Sequence, residues 1–425
     1  MIVTFTFLII TNFCFPQVSG LALYGIGDKV GKEDVSSIGL GNCTFFSGNL
    51  YGITVSSPSS IWKSALTRFT MHSGMNYLST SSFPKQFQHN LTHFSIFFPI
   101  GNQRVFGFGL KPLLRTNSLE IETDFQYIGA NESSTYLPIA YKTSYYIDGG
   151  ISKIFLQYSF NTNSNFSFGV QYSLLFGTQA IDEKRYTYDI VIDSTISGET
   201  VIGEFTDDDI IYYIYEGNGE VSYMQDSHQF SGSEIILEGR YSVENHEYVF
   251  RTAINGNIDI ETAKGQNTDD RVYFHNFKNT TATQISELAL GYHNKISSHS
   301  GMIMEYQINY PINLPKEVIL FNTDSPYENS IHIGTYYQLK NPKYGFWNNL
   351  NIRGGSYLKQ FDFSGDKYID YGFTFGLGLE YLSNTQTLDI AIRAGKRESY
   401  ILPNQEENYI SFHFGITTGE KWFMK

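Results

Sequence analysis

His89 and His93 are the closest-spaced pair among the ten histidines of the sequence, four residues apart in FQHNLTHFSIFF. On a helix this spacing would bring both rings to one ion. The stretch instead leads into a predicted strand, where residues four apart share a face but lie roughly 13 Å from each other. The sequence therefore predicts no metal site here.

Signatures of enzyme chemistry are missing elsewhere in the chain. No G-x-S-x-G motif provides a nucleophile elbow, and no Ser/His/acid grouping stands out. The glycine-rich runs GFGL and GLGLE lie within predicted strands with no helix after them, which excludes a phosphate loop. We expect a protein that is not an enzyme and has no catalytic residues, metal or cofactor.

Composition narrows the class of protein further. The net charge is -13 with no basic stripe, which excludes a nucleic-acid partner. Aromatic residues make up 16% of the chain and charged residues 17%, against about 25% charged in an ordinary soluble domain. Mean hydropathy is -0.23, and no apolar run of helix-spanning length follows the first twenty residues. These values are typical of a β-barrel embedded in lipid.

Period-two alternation runs through the chain from Ile61 onward and predicts strands. In the closing stretch NYISFHFGIT, large apolar residues alternate with small or polar ones, and YGFTFGLGLEYL at Tyr371–Leu382 has the same pattern. Predicted strand centres fall near residues 70, 94, 109, 152, 171, 238, 254, 290, 304, 335, 354, 376, 391 and 413. We predict an all-β fold, a transmembrane antiparallel β-barrel of about 14 strands. A soluble sandwich or propeller is the alternative, but no internal repeat supports it.

The connections between the predicted strands alternate between short and long. The long ones, at Gln179–Gly232 and Ala263–Gln284, contain the acidic runs Glu204–Asp209 and Asn267–Asp270, which we interpret as solvated loops. Charged residues within strands should face the lumen, since facing lipid would cost them a few kcal/mol. These residues are Glu238, Arg240, Glu305, Glu380 and Arg393.

The N-terminal sixty residues differ from the rest. Residues 1–20 are uncharged and largely apolar and predict a secretory signal peptide, which leaves Cys43 as the single cysteine of the mature chain. Residues 21–60 are rich in Gly and Ser without alternation and predict a luminal plug, or hatch. Residues 61–418 then form the barrel and 419–425 a short tail.

Several motifs in this order resemble the FadL-type outer-membrane transporters, the long-chain fatty-acid and hydrophobic-compound channels. They are YGIGD, SSIGLGN, SSPSSIW and FFPIGNQRVFGFGLKP, followed at the C-terminus by YISFHFGITTGEKWF. Where that family has Asn-Pro-Ala before its first strand, this chain has Ser-Pro-Ser and retains only the proline. The resemblance assigns a hatch motif to Gly39, Gly41, Ser57, Pro58 and Ser59.

The resemblance implies a fourteen-stranded barrel in the bacterial outer membrane, closed by an N-terminal hatch. A hydrophobic ligand would bind in an apolar pocket and be released by a hatch shift, often sideways into the bilayer. The sequence does not locate the pocket residues. The same fold also occurs in a cargo shuttle of the Bacteroidetes-type secretion machinery, which binds protein, so a protein-binding shuttle or scaffold is the alternative.

Overall fold

The structure, a computed structural model, describes most of the chain. The described residues are 28–29, 34–48, 53–80, 86–122, 126–128, 139–162, 165–191, 201–207, 210–215, 220–268, 271–283, 286–309, 328–340, 349–363, 366–381, 386–399 and 406–420. The predicted signal peptide at 1–20 and most of the predicted tail at 419–425 lie outside these ranges.

The described residues form nineteen strands and two short helices. The helices are α1 (Val35–Ile38) and a 3-10 helix (Pro58–Lys63). The strands are β1 (Asp28–Lys29), β2 (Thr67–Thr80), β3 (Gln86–Gly101), β4 (Arg104–Glu122), β5 (Gln126–Ile128), β6 (Ile139–Asn161), β7 (Phe166–Val191), β8 (Val201–Asp207), β9 (Ile210–Tyr215), β10 (Glu220–Val243), β11 (His246–Thr268), β12 (Arg271–Thr283), β13 (Glu287–Lys295), β14 (Ser300–Asn309), β15 (Glu328–Lys340), β16 (Asn349–Phe363), β17 (Asp366–Tyr381), β18 (Gln386–Ser399) and β19 (Glu406–Glu420).

Fourteen of these strands pair antiparallel into a closed ring. The ring runs β2-β3-β4-β6-β7-β10-β11-β13-β14-β15-β16-β17-β18-β19, and β19 pairs with β2 to close it. Each predicted strand centre falls within a different ring strand, so the predicted barrel and its strand number are confirmed. The remaining strands extend the sheet locally: β1 pairs with β4, β5 with β6, β8 with β9, β9 with β7, and β12 with β11.

Side chains alternate between the two faces of the barrel wall. In β19, Phe412 and Phe414 are exposed on the outer face while Ser411 and His413 are buried inside. The outer face of β7 carries the exposed residues Phe166, Phe168, Val170, Tyr172, Leu174 and Phe176. A continuous apolar outer face with a polar interior is the pattern of a barrel that faces lipid, because lipid cannot hydrogen-bond polar side chains. None of the described helices is long and apolar enough to cross a membrane.

The two ends of the barrel differ. At one end, here called the turn end, tight turns join β3 to β4, β10 to β11 and β13 to β14. The other end is here called the loop end, and β6, β7, β10 and β11 extend far toward it. These strands are 23 to 26 residues long in total, more than twice the roughly 9–11 residues that span a bilayer. By the rule that outer-membrane barrels have short periplasmic turns, we expect the turn end to face the periplasm.

These long strands correct the sequence-based prediction of loops. Much of the interval from Gln179 to Gly232 belongs to β7, β8, β9 and β10, and most of the second interval to β11 and β12. The acidic residues Glu204–Asp207 lie in β8, not in a solvated loop. Polar residues with few large apolar neighbours resembled loops, as is expected of strand segments that exceed the length needed to span a bilayer.

A β-bulge in β3 corrects the interpretation of His89 and His93. The register with β2 shifts so that His72 pairs with His93 but Ser73 pairs with Leu91, which leaves an extra residue in β3. The extra residue reverses the alternation. His93 is buried inside the barrel. His89 is hydrogen-bonded to Ser73 at 2.8 Å, and Ser73 pairs in register with Phe414 of the outer face. The two histidines therefore do not share a face as predicted.

The ladder between β3 and β4 covers only the turn-end part of the two strands, and the point where it stops is here called the break in the wall. Within the described residues their ladder ends at the pair Phe94–Leu110, so β3 from Gln86 to His93 pairs only with β2. Beyond that point β4 pairs with β6 on one side and with β1 on the other, through Asp28–Arg115 and Lys29–Leu114. The N-terminal segment thus supplies the neighbour that β3 does not.

The predicted domain boundaries can be placed on the observed elements. The limit at residues 60 and 61 lies within the 3-10 helix, and the first ring strand begins only at Thr67. At the other end, β19 continues past residue 418 to Glu420.

Candidate functional site

Residues 34–48 and 53–64, here called the plug, are buried inside the turn-end half of the barrel. Within them only Trp62 and Lys63 are partly exposed. The Asp34 carboxylate joins the two segments: it accepts hydrogen bonds from Ser37 N at 2.7 Å, where it caps α1, and from Thr54 Oγ1 at 2.5 Å and Val55 N at 3.2 Å. A helix of four residues cannot hold itself together, so these bonds fix its position.

The ionisation of Asp34 supports this role. Burial favours the neutral acid, but the nearby His72 and the hydrogen bonds from Ser36, Thr54 and Ser37 more than offset it. They hold the pKa of Asp34 below its ordinary value of 3.8. The plug is therefore held by a carboxylate that stays charged at neutral pH.

One side of the plug packs backbone to backbone against the wall. Gly39 lies so close to β17 that an added Cβ would be 2.8 Å from Gly376 Cα. Gly41 has φ +74°, and its amide donates to Thr374 Oγ1 at 2.7 Å while its carbonyl accepts from His332 Nδ1 at 2.8 Å. Both positions therefore require glycine. At Gly39 the reason is the close approach of the wall, and at Gly41 it is the close approach of the wall together with the left-handed backbone.

The opposite side of the plug is fixed by a buried glutamate of β10. Glu238 Oε1 accepts hydrogen bonds from Ser57 Oγ, from Ser59 Oγ at 2.5 Å and from Ser59 N at 3.1 Å. Pro58, between the two serines, lies against the inward-facing Gly169 of β7, where any side chain would collide with it. The serines are the donors that this carboxylate requires once it is removed from water.

Two arginines complete the attachment. Arg251 pairs with Glu238 Oε2 at 2.7 Å and donates to the Ser56 carbonyl at 2.6 Å. Arg240 donates to the Phe45 carbonyl at 2.7 Å and to Ser57 Oγ at 3.0 Å. Their guanidinium groups also lie over plug rings, Arg251 at 4.4 Å from the Phe45 centroid and Arg240 at 4.9 Å from that of Phe46.

A second glutamate, Glu305 of β14, binds backbone amides of the plug. Its two carboxylate oxygens accept from Thr44 N and Phe45 N, each at 2.7 Å. A third, Glu247 of β11, pairs with Lys63 of the 3-10 helix at 3.1 Å and with His293 Nδ1 at 2.9 Å. Acidic and basic groups of the wall thus meet donors and acceptors of the plug along both of its segments.

Beyond the plug, toward the loop end, the lumen contains an apolar cluster. Its inward-facing members are Leu114, Ile151, Leu175, Phe230, Ile258 and Ile260, with Leu113 packed against them. They come from β4, β6, β7, β10 and β11, nine or more residues from the turn end of each strand. Leu114 pairs in register with Lys29 of β1, so the cluster lies beside the break in the wall.

The five residues assigned to the hatch motif all lie at contacts between plug and wall. Gly39 and Gly41 contact β15–β17, whereas Ser57, Pro58 and Ser59 contact β7 and β10. The predicted luminal charges Glu238, Arg240, Glu305 and Glu380 are buried, and Arg393 donates to Ser411 Oγ on the inner face. Sequence reasoning missed Asp34, Glu247 and Arg251. For Glu247 and Arg251 the available signal was a charge at an inward strand position, whereas Asp34 lies in the plug and in no strand.

The histidines do not form a metal site among the described residues, where no group of three metal-ligating side chains converges. The rings of His72 and His93 lie on the inner wall with centroids 5.3 Å apart and planes tilted by 31°.

Comparison with solved structures identifies the fold. The monoaromatic hydrocarbon channel CymD superposes with a TM-score of 0.55 at 11% identity, covering 95% of this chain and 99% of that one. The toluene transporters TodX of P. putida (TM-score 0.50, 12% identity, 94% and 100% covered) and TbuX of Ralstonia pickettii (0.50, 11%, 94% and 99%) are similar. At this identity the likeness establishes the barrel fold.

Sequence comparison places the chain in a family. No curated protein matches it. The family model described as BamG matches residues 1–425, the full length of the sequence. This chain belongs to the BamG family.

Proposed function

We propose that this protein is an outer-membrane channel for hydrophobic small molecules, such as monoaromatic hydrocarbons or long-chain fatty acids, and not an enzyme. The observation that carries the proposal is the apolar cluster inside the lumen, between the loop end and the plug and beside the break in the wall. On its side of the lumen, an apolar ligand entering from the loop end would meet these side chains before it meets Glu238, Arg240 and Arg251, the charges that hold the plug.

The plug determines how such a ligand leaves. It fills the turn-end half of the lumen, and its polar contacts with Glu238, Arg240 and Glu305 would repel an apolar ligand. Release therefore requires either a shift of the plug or a sideways exit where β1 replaces β3 as the neighbour of β4. Separation of the two residues of β1 from β4 would break few hydrogen bonds.

The proposal is tested by extracting small molecules from protein purified gently from its native membrane and identifying them by mass spectrometry. A fatty acid or hydrocarbon present at near one per chain is expected. Phe230→Ser, which places a hydroxyl in the cluster, should lower its occupancy several-fold, and Phe176→Ser on the outer face of β7 should leave it unchanged. Equal retention by both variants would contradict a luminal site.

The second candidate is a protein-binding shuttle or scaffold, and the long strands at the loop end favour it. This extension displays exposed aromatic residues such as Tyr146 and Tyr223, with Lys184 over the ring of Tyr186 at 4.5 Å. Exposed tyrosines beside cations are common at protein interfaces. A protein that co-purifies at one copy per chain, with no hydrophobic small molecule in the lumen, would favour this candidate.

A further inference from the structure

The outer wall near the turn end has an apolar groove of about 700 Å³. This volume lies within the roughly 300–1,000 Å³ of small-molecule sites. Its large outward-facing lining residues come from six neighbouring strands, β7, β10, β11, β13, β14 and β15. They belong to the surface that faces lipid and not to the lumen.

Strand register explains the shape of the groove. Six outward positions form one row across the wall, each paired with the next: Phe168, Gly239, Phe250, Leu290, Tyr306 and Ile331. Five of them are large and exposed, and Gly239 is the single gap. The neighbouring row toward the turn end has no gap and consists of Phe166, Tyr241, Tyr248, Tyr292 and Met304.

The fold itself does not require a glycine at position 239. A Cβ added there would lie 3.6 and 3.8 Å from ring atoms of Phe168, which is ordinary contact distance, and no positive φ is recorded. By contrast, Gly169 and Gly376 face inward and are pressed by the plug. A side chain at position 239 would fit, so the absence of one serves the groove.

We propose that this groove binds the acyl chain of a membrane phospholipid. The groove opens onto the lipid-facing surface, so it is continuous with the bilayer that surrounds the barrel. It lies within about six residues of the turn end for most of its length, the depth at which aromatic residues of outer-membrane barrels mark the membrane interface. A lipid of the leaflet nearest the turn end reaches it without leaving the bilayer.

Polar tips at the rim of the groove suit the region of the lipid headgroup. His246 Nδ1 and Tyr292 OH are 2.9 Å apart, and their rings are stacked at 5.9 Å. Lys295 and Glu244 are both exposed at the same end. Because both signs of charge are present, recognition rests on the acyl chain and not on the net charge of the headgroup.

The proposal is tested by native mass spectrometry of the purified full-length chain titrated with phosphatidylethanolamine, and separately with phosphatidylglycerol, in mild detergent. Gly239→Phe fills the gap in the row. Gly354→Phe is the matched control: it lies on the outer face of β16 at similar depth, outside the groove, and its Cβ would have nothing closer than 4.0 Å. Gly239→Leu is a smaller second filling variant, and heat-dependent gel migration verifies folding of each.

We expect wild type and Gly354→Phe to retain one phospholipid and both filling variants to retain at least tenfold less. Equal retention by all four proteins would overturn the proposal. Occupation of the wild-type groove by detergent alone would also overturn it, as would a partner protein lost specifically with Gly239→Phe. None of these results depends on transport through the lumen.

Discussion

The substitution Glu238→Gln isolates the attachment between plug and wall. It retains the shape of the side chain but removes its charge. In the folded protein one oxygen of Glu238 receives the Ser57 and Ser59 donors and the other pairs with Arg251 at 2.7 Å. The Glu238 side chain is 0% exposed and that of Arg251 is 4% exposed, so no water replaces the lost charge.

The expected magnitude follows from burial. Removing one partner of a buried ion pair costs about 3–5 kcal/mol because the other charge is left uncompensated. The glutamine oxygen can still accept from the serines, so we expect a value near the lower limit. About 3 kcal/mol corresponds to roughly a 100-fold change in the equilibrium for local opening of the plug.

Hydrogen exchange of the detergent-solubilised protein measures that equilibrium. Amides of the 3-10 helix at Pro58–Lys63 should exchange about 100-fold faster in Glu238→Gln. Glu234→Gln is the matched control, since Glu234 is a buried glutamate of the same strand whose 2.5 Å ion pair is with Lys153 of the wall. Amides of the ring strands distant from Glu238 report whether the barrel itself remains folded.

Two outcomes would refute the reasoning. Unchanged exchange in Glu238→Gln would mean that the buried contacts do not hold the plug. Equal acceleration by Glu234→Gln would mean that any lost luminal charge loosens the whole barrel.

Three further predictions concern the plug and the outer wall. Asp34→Asn should speed exchange of residues 34–48 by about tenfold or more, since hydrogen bonds to a charged group contribute about 1.5–3 kcal/mol. Because the pKa of Asp34 is lowered on folding, wild type should lose the same stabilisation only as pH falls below about 3.8, after correction for intrinsic exchange rates; loss near neutral pH would contradict this. Gly376→Val should displace Gly39 and loosen the plug by about 1–3 kcal/mol in the same assay, while Gly354→Val on the outer face should have no effect on it. Phe412→Lys, on the outer face near the middle of β19, should destabilise the barrel by about 2–4 kcal/mol in reversible unfolding from lipid vesicles, and a neutral result would mean that this face does not contact lipid.

The barrel could be predicted from sequence because lipid constrains every spanning strand in the same way. A residue such as Phe412 must be apolar whatever its neighbours are, so alternation alone located all fourteen ring strands. Beyond the lipid this constraint ends, and the extensions of β7 and β10 therefore resembled loops. The bulge in β3 was also invisible, because one extra residue near His93 changes no composition but reverses the face of His89.

The candidate site was predictable only in part. A glycine such as Gly41 signals an unusual backbone, and a charge such as Glu238 at an inward strand position signals a luminal role. The sequence does not indicate that Glu238 meets Ser57 and Ser59, because these residues are about 180 positions apart and the plug has no periodicity to orient it. The partners of Asp34 were missed for the same reason.

Uptake of a labelled long-chain fatty acid and of toluene, in cells that lack their own outer-membrane channel for such compounds, tests the central claim most directly. Wild type should raise uptake above that of cells with an empty vector, Glu238→Gln should change it further by loosening the plug, and Glu234→Gln should match wild type. Correctly inserted protein that raises the uptake of neither compound, in wild type or in Glu238→Gln, would contradict the channel and favour the protein-binding alternative.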